Sequence, residues 1–142
     1  MTVLGLDPGD RRIGVAVSDP LRVTARPLTT IEHESLASDA ARVVALAERV
    51  QAGKIVVGLP LNLDGSAGPA ARKARRFANA IRRKTAAEVV LWDERLTTVA
   101  AEEMLADGAR MRPAARRDAT DKTAAAVMLQ DYLDSHPESD SP

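Results

Sequence analysis

The residues with chemistry to offer in this chain are carboxylates. Asp7 closes the apolar run 2–7 (TVLGLD), Glu94 follows the apolar run Val89-Val90-Leu91-Trp92, and Asp121 stands just before Ala124-Ala125-Ala126-Val127. A carboxylate at the end of a core strand is partly desolvated, which is costly unless a cation or hydrogen bonds compensate. Acids carried on three separate elements can meet only through the fold, and if they meet, their repulsion is severe without a metal. Oxygen-only ligands select a hard cation, Mg2+ or Mn2+, over zinc. Each acid also has an ordinary reading. Asp7 before Pro8-Gly9 fits a turn acid, Glu94 a surface partner of Arg95, and Asp121 a favourable charge near a helix N-terminus. Asp118 reads as an N-cap before it reads as a ligand, although its i,i+3 spacing puts it on the helix face of Asp121. Asp93 points away from Glu94 if the strand persists, so only one of the two faces a given site.

Other chemistries drop out. The chain has no cysteine, which excludes disulfides, thiolate zinc sites and Cys nucleophiles, and only two histidines, His33 and His136. There is no GxxxxGK[ST] phosphate loop, GxSxG elbow, HExxH or GxGxxG motif. Basic residues form a second constellation. Arg72, Lys73, Arg75, Arg76, Arg82, Arg83 and Lys84 follow the loop 60–68 (PLNLDGSAG), and Arg110, Arg112, Arg116 and Arg117 crowd the stretch before Asp121. They fit either a solubilising face or a surface for a polyphosphate backbone. Twenty Lys+Arg balance twenty Asp+Glu, but acids such as Asp131, Asp134, Glu138 and Asp140 concentrate near the C-terminus, so zero net charge can conceal a basic face. With one Trp, one Tyr and one Phe, the chain is poor in the aromatics that a platform for stacked single-stranded bases needs.

The elements that must position these groups fit one domain of 142 residues. Runs 2–7 and 13–18 make an antiparallel hairpin whose short connection holds Arg11 and Arg12. A third strand over 24–31 carries Pro27, which confines it to a sheet edge. The pattern then turns helical over Leu36 to Val50, with Ser35 as N-cap and Gly53 as stop. Ile55–Leu59 reads as a strand buried on both faces. A helix opened by Pro69 runs to about Lys84 and buries Ala70, Ala74, Phe77, Ala78 and Ile81. A buried strand at 89–92 comes next, then a helix from about Val99 to Ala106, a basic loop over 107–117 and a last helix over 119–134. This order predicts an α/β fold, a mixed sheet covered by helices. Ligands of such sheets bind at strand ends, where the acids fall. Residues 1–135 are expected to form a single domain and 136–142 a disordered polar tail. The charged start does not read as a signal peptide and no run suits a membrane span, so a cytoplasmic protein with no membrane partner is expected.

Four motifs, in order, extend this reading. Asp7-Pro8-Gly9 with Ile13-Gly14-Val15-Ala16-Val17-Ser18-Asp19 resembles the first hairpin of the YqgF/RuvX family of RNase H-like proteins. So do Ile55-Val56-Val57-Gly58-Leu59-Pro60 with Asn62 and Asp64-Gly65-Ser66, Asp93-Glu94-Arg95-Leu96-Thr97-Thr98 with Ala101-Glu102, and Asp121 with Ala124-Ala125 and Leu129-Gln130. The resemblance implies an RNase H-like five-stranded sheet, a three-strand antiparallel meander plus two parallel strands, flanked by helices. It also implies a two-metal phosphodiesterase with Asp7, Glu94 and Asp121 as catalytic and metal-binding acids, Asp118 as an additional candidate ligand, and Mg2+ or Mn2+ as cofactor. Asp7, on the most rigid element, is the candidate bridging ligand. Arg95, Asn62, Ser66, Arg72, Arg76, Arg112, Arg116 and Arg117 are the candidate nucleic-acid contacts. The expected activity is metal-dependent cleavage of structured nucleic acid, first of all 5′-end processing of precursor 16S rRNA. The alternative is a Holliday junction resolvase on branched DNA, which would need a homodimer to cut a symmetric substrate. Two readings from other classes compete: a non-catalytic nucleic-acid-binding factor, and an actin-like ATPase, for which one domain is too few.

Overall fold

The structure is a computed structural model. It describes residues 1–62, 64–93 and 113–136, of which 113–120 by backbone alone. Its strands are β1 (Thr2–Pro8), β2 (Arg12–Ser18), β3 (Ala25–Glu32), β4 (Ala52–Leu59) and β5 (Glu88–Asp93), and its helices α1 (Leu36–Arg49), α2 (Pro69–Arg82) and α3 (Pro113–Ser135). The strands form one sheet in the order β3-β2-β1-β4-β5. β1 pairs antiparallel with β2 and β2 with β3, whereas β1 with β4 and β4 with β5 are parallel. The expected meander plus two parallel strands is therefore the observed sheet. Pro27 sits on edge strand β3, at the register shift opposite Val15 and Ala16, where a missing backbone donor breaks no inner ladder.

Alternation along the strands divides the core in two. Leu4, Leu6, Val15, Val17, Ile55 and Val57 pack with Val43, Phe77 and Ile81 of α1 and α2. Val3, Ala16 and Val56 face the other way, toward Ala125, Met128, Leu129 and Tyr132 of α3. Gly5 belongs to that second face, since a Cβ there would stand 2.9 Å from Leu129 Cβ. Among the described residues, one helix thus covers one side of the sheet and two helices the other.

Several expected boundaries shift. Ser35 does cap α1, its Oγ accepting from the Ser38 backbone N–H at 3.1 Å, but Gly53 is not the stop. The helix ends at Arg49 with Val50 as its C-cap, the left-handed turn falls on Gln51 (φ 56), and Gly53 already lies in β4. Leu36, in the first turn of α1, is exposed, and the charged Asp39 is buried instead. α2 buries Ala71, not Ala70; both stand at helical spacing from Ala74, but Ala70 turns outward at the first turn. β5 is an edge strand and only Val89 in it is fully buried. α3 begins at Pro113, six residues before the expected start, so 113–117 is helix and not loop. Proline suits a first helical turn, and the Ala-Ala-Arg-Arg that follows are strong helix formers. Asp118 and Asp121 consequently lie inside α3, and Asp118 is no N-cap. The expected helix at 99–106 lies outside the described residues.

The far end of α3 is tied down across the sheet. Lys54 Nζ donates to Tyr132 Oη at 2.9 Å and Trp92 Nε1 to Asp131 Oδ2 at 2.9 Å. Gln130 accepts from the Ala25 N–H and donates to the Val23 carbonyl. His136 stacks on Tyr132 with centroids 4.3 Å apart, so packed structure reaches the first residue of the expected tail, while 137–142 lie outside the described residues. These ties fix where along the sheet the start of α3 comes to rest.

Candidate active site

Asp7 is half-buried near the end of β1, opposite Gly14 of β2 in the antiparallel register. Directly opposed residues project to the same face of a sheet, and for Asp7 and Gly14 that face is the one α3 covers. Gly14 has no side chain, and the helix backbone occupies the space one would fill. A Cβ on Gly14 would stand 2.0 Å from the Asp121 carbonyl oxygen and 2.5 Å from its carbonyl carbon. The glycine thus seats the Asp121 turn of α3 against the sheet, one strand over from Asp7. The backbone of Asp121 thus rests on the residue paired with Asp7.

Arg12 completes the local geometry, and sequence reasoning did not place it here. Two residues before Gly14 on β2, it projects from the same face, and its Nε donates to Asp121 Oδ2 at 2.6 Å. Both side chains keep about a third or less of their surface in solvent, 27% for Arg12 and 30% for Asp121. The signal was available: the step of two from Gly14 puts a cation where the acids were expected to repel each other. On the other side of the β1–β2 turn, Lys73 of α2 places Nζ 3.5 Å from the Gly9 carbonyl oxygen and 3.5 Å from Asp10 Oδ1. The basic helix is therefore anchored beside the strand end that carries Asp7.

Glu94, Arg95 and Arg112 lie outside the described residues. Asp118 is one turn before Asp121 on α3, and Arg116 and Arg117 are on the same helix instead of a loop. Among the described residues no group of three His, Asp or Glu converges closely enough to hold a metal ion. Asn62 and Ser66 are exposed and bond each other, Asn62 Nδ2 donating to Ser66 Oγ at 3.0 Å. Ser66 in turn donates through Oγ and its backbone N–H to Asp64 Oδ1. They shape the 60–68 loop, with Gly65 supplying its positive φ of 86°. Arg72 and Arg76 are exposed on α2, together with Arg75, Arg82, Arg83 and Lys84, and α2 carries no acid from Pro69 to Arg82. That face is basic as expected.

A different charged cluster lies on the α1 side. The buried carboxylate of Asp39 is bonded to His33 Nδ1 at 2.5 Å, the Arg42 guanidinium at 2.5 Å and the Glu34 N–H at 3.1 Å. Burial alone would raise the Asp39 pKa, but His33, the Glu34 amide and Arg42 together hold it below the ordinary carboxylate value.

A family model described as RuvX, Holliday junction resolvase, matches residues 1–135. The chain belongs to the RuvX family. Among its relatives, a Myxococcus xanthus protein named "Putative pre-16S rRNA nuclease" is 46% identical over 138 residues, covering 96% of this chain and 89% of that one. A Clostridium tetani protein of the same name is 44% identical over 135 residues, covering 95% and 97%. Solved structures agree on the fold. Thermus thermophilus RuvC in complex with a Holliday junction substrate matches with a TM-score of 0.62 at 19% identity, covering 95% of this chain and 94% of that chain. The fowlpox virus resolvase bound to Holliday junction DNA matches with a TM-score of 0.59 at 10% identity, covering 95% and 98%. Membership of RuvX makes the chain a hydrolytic nuclease on an RNase H-like scaffold. No described helix is long and apolar enough to cross a membrane.

Proposed function

We propose that this RuvX protein is a divalent-metal-dependent endonuclease of structured RNA that trims the 5′ end of precursor 16S rRNA. The observation that carries the reading is the seating of Asp121 on Gly14, directly across from Asp7, in a chain 44% identical over nearly its whole length to a relative named for that substrate. The donor set fits hard cations: two carboxylates on rigid elements, no sulfur anywhere in the chain except methionine, and no histidine beside them. Asp7 and Asp121, with Glu94 as the third acid and Asp118 as a candidate fourth, would hold Mg2+ or Mn2+. When bound, two such ions supply activation of water and neutralisation of charge on the departing 3′ oxygen.

The chain's own residues do the rest. β1 lies inside the sheet and fixes Asp7, while α3, tied at its far end, fixes Asp121, so both carboxylates are pre-positioned at little entropic cost. Lys73 and the exposed arginines 72 and 76 of α2 meet the phosphate backbone next to that strand end, with Asn62 and Ser66 shaping the adjoining loop. Arg95, Arg112, Arg116 and Arg117 add charge to the same substrate. Recognition then rests on phosphates and shape, in keeping with the scarcity of aromatics.

The test incubates the protein with labelled precursor 16S rRNA and with four-way DNA junctions, each with Mg2+ and with Mn2+. Faster cleavage of the precursor RNA supports the proposal. Preferential, symmetric junction cutting by a stable dimer would replace it with the resolvase reading. Binding of either substrate without cleavage in both metals would replace it with a non-catalytic factor.

A further inference from the structure

We propose that Arg12 is a positioning residue that reserves one oxygen of Asp121 for the chain and offers the other to a metal ion, and that this division makes the site favour Mg2+ over Ca2+. The proposal rests on the metal-site reading above and names what sets its ion preference. Strand β2 constrains Asp121 twice, from positions two residues apart. Gly14 seats its backbone, with the Asp121 carbonyl oxygen where a Cβ would otherwise stand. Arg12 holds its side chain, Nε donating to Oδ2 at 2.6 Å, a length typical of a charge-assisted contact. The other carboxylate oxygen, Oδ1, makes no hydrogen bond among the described residues. The side chain keeps 30% of its surface in solvent. Oδ1 is therefore the oxygen left for an ion, and the Arg12 bond persists when the ion binds.

The same division weighs unequally on different ions. Mg2+ keeps a strict octahedral shell with several waters, so a single oxygen from Asp121 satisfies it. Ca2+ is larger, takes about six to eight oxygens and commonly draws both from one carboxylate. An ion spanning both oxygens of Asp121 would meet the guanidinium charge at Oδ2. It would also share an oxygen whose electron density is already drawn toward the Nε proton. Arg12 thus penalises the two-oxygen mode and spares the one-oxygen mode. A partner that orients a ligating carboxylate from outside the ion's shell is a recognised means of tuning a metal site.

The experiment is calorimetric titration with Mg2+ and with Ca2+, without nucleic acid, of the wild type, Arg12→Ala, Arg11→Ala and Asp121→Asn. Losing a positive charge strengthens the binding of both divalent ions alike, so the Ca2+-to-Mg2+ affinity ratio isolates the contact from the charge. That ratio is expected to rise by about three- to tenfold in Arg12→Ala, the scale of one charge-assisted contact at this exposure. Arg11 is exposed in the adjoining turn, and Arg11→Ala removes the same charge while leaving the ratio at the wild-type value. A purely structural Arg12 would change the melting temperature and not the ratio. An unchanged ratio in a folded Arg12→Ala, or an equal rise in Arg11→Ala, overturns the proposal. A wild type that binds neither ion, or Asp121→Asn binding both as the wild type does, overturns instead the metal-site reading beneath it. A second measurement needs no variant: the Arg12 Nε–H resonance of the wild type is followed as Mg2+ is added. A hydrogen-bonded shift retained at saturating Mg2+ supports the division of Asp121, and its loss overturns it.

Discussion

Replacing Gly14 with alanine places one methyl group where β2 and α3 touch. The new Cβ would meet the Asp121 carbonyl oxygen at 2.0 Å, its carbonyl carbon at 2.5 Å and the Lys122 amide nitrogen at 3.2 Å. All three are backbone atoms, so no side chain can rotate aside, and strand and helix must separate by more than an ångström. Overpacking of this kind costs about 1–3 kcal/mol, and the rigidity of both elements puts Gly14→Ala near the upper end. For a domain of this size that lowers the melting temperature by roughly 10 °C. The displacement acts on the Asp121 turn itself, and a misplacement of about 1 Å at a catalytic group costs about a hundredfold in rate. Thermal unfolding by circular dichroism and a single-turnover cleavage assay, run well below the variant's melting temperature, measure the two effects separately. Gly53→Ala is the control, because the Cβ there meets the sulfur of Met1, the end of a flexible and 79% exposed side chain; its stability and rate stay near wild type. A Gly14→Ala protein with unchanged melting temperature and unchanged rate would refute the reasoning from the helix seat.

Two further outcomes follow from the charged clusters. The Asp39 carboxyl is held below its ordinary value in the fold, so its contribution to stability is complete above the unfolded carboxylate range, near pH 4, and is lost as pH falls through the lower, folded value. Urea unfolding at a series of acid pH values should show this loss, and Asp39→Asn should be destabilised by about 1–3 kcal/mol at neutral pH with a flatter profile below pH 4; an identical acid profile in the variant would contradict the assignment. On α2, Arg72→Ala and Arg76→Ala should each weaken nucleic-acid binding across all sequences and reduce the log–log salt slope by about 1. Salt-series binding curves of unchanged slope would remove that helix from the interface.

The sheet was largely legible because its strands are short apolar runs separated by strong turn signals, and Pro27 marked the edge strand by its missing donor. Asp7 stood out as a candidate for the same reason, a charge at the end of an otherwise apolar run. Helix ends were less so. Gly53 looked like a stop, but the left-handed turn falls on Gln51, a residue whose side chain gives no such signal. The start of α3 was missed because a run rich in arginine reads as loop by charge although its intrinsic helix preference is high. Arg12 and Asp39 escaped notice for a common reason. Each matters through a partner far from it in the chain or on the far side of a turn, and a single sequence records neither Arg12 beside Asp121 nor the ring of donors that makes a buried Asp39 tolerable.

The account stands on Asp7 and Asp121 serving one metal-dependent cleavage reaction. The most direct measurement is the rate of Mn2+-dependent cleavage of precursor 16S rRNA by Asp7→Asn and Asp121→Asn, each checked by circular dichroism to be folded. Both variants are predicted to fall to the rate of a reaction without enzyme while still binding the RNA. Wild-type cleavage by either folded variant would contradict the account.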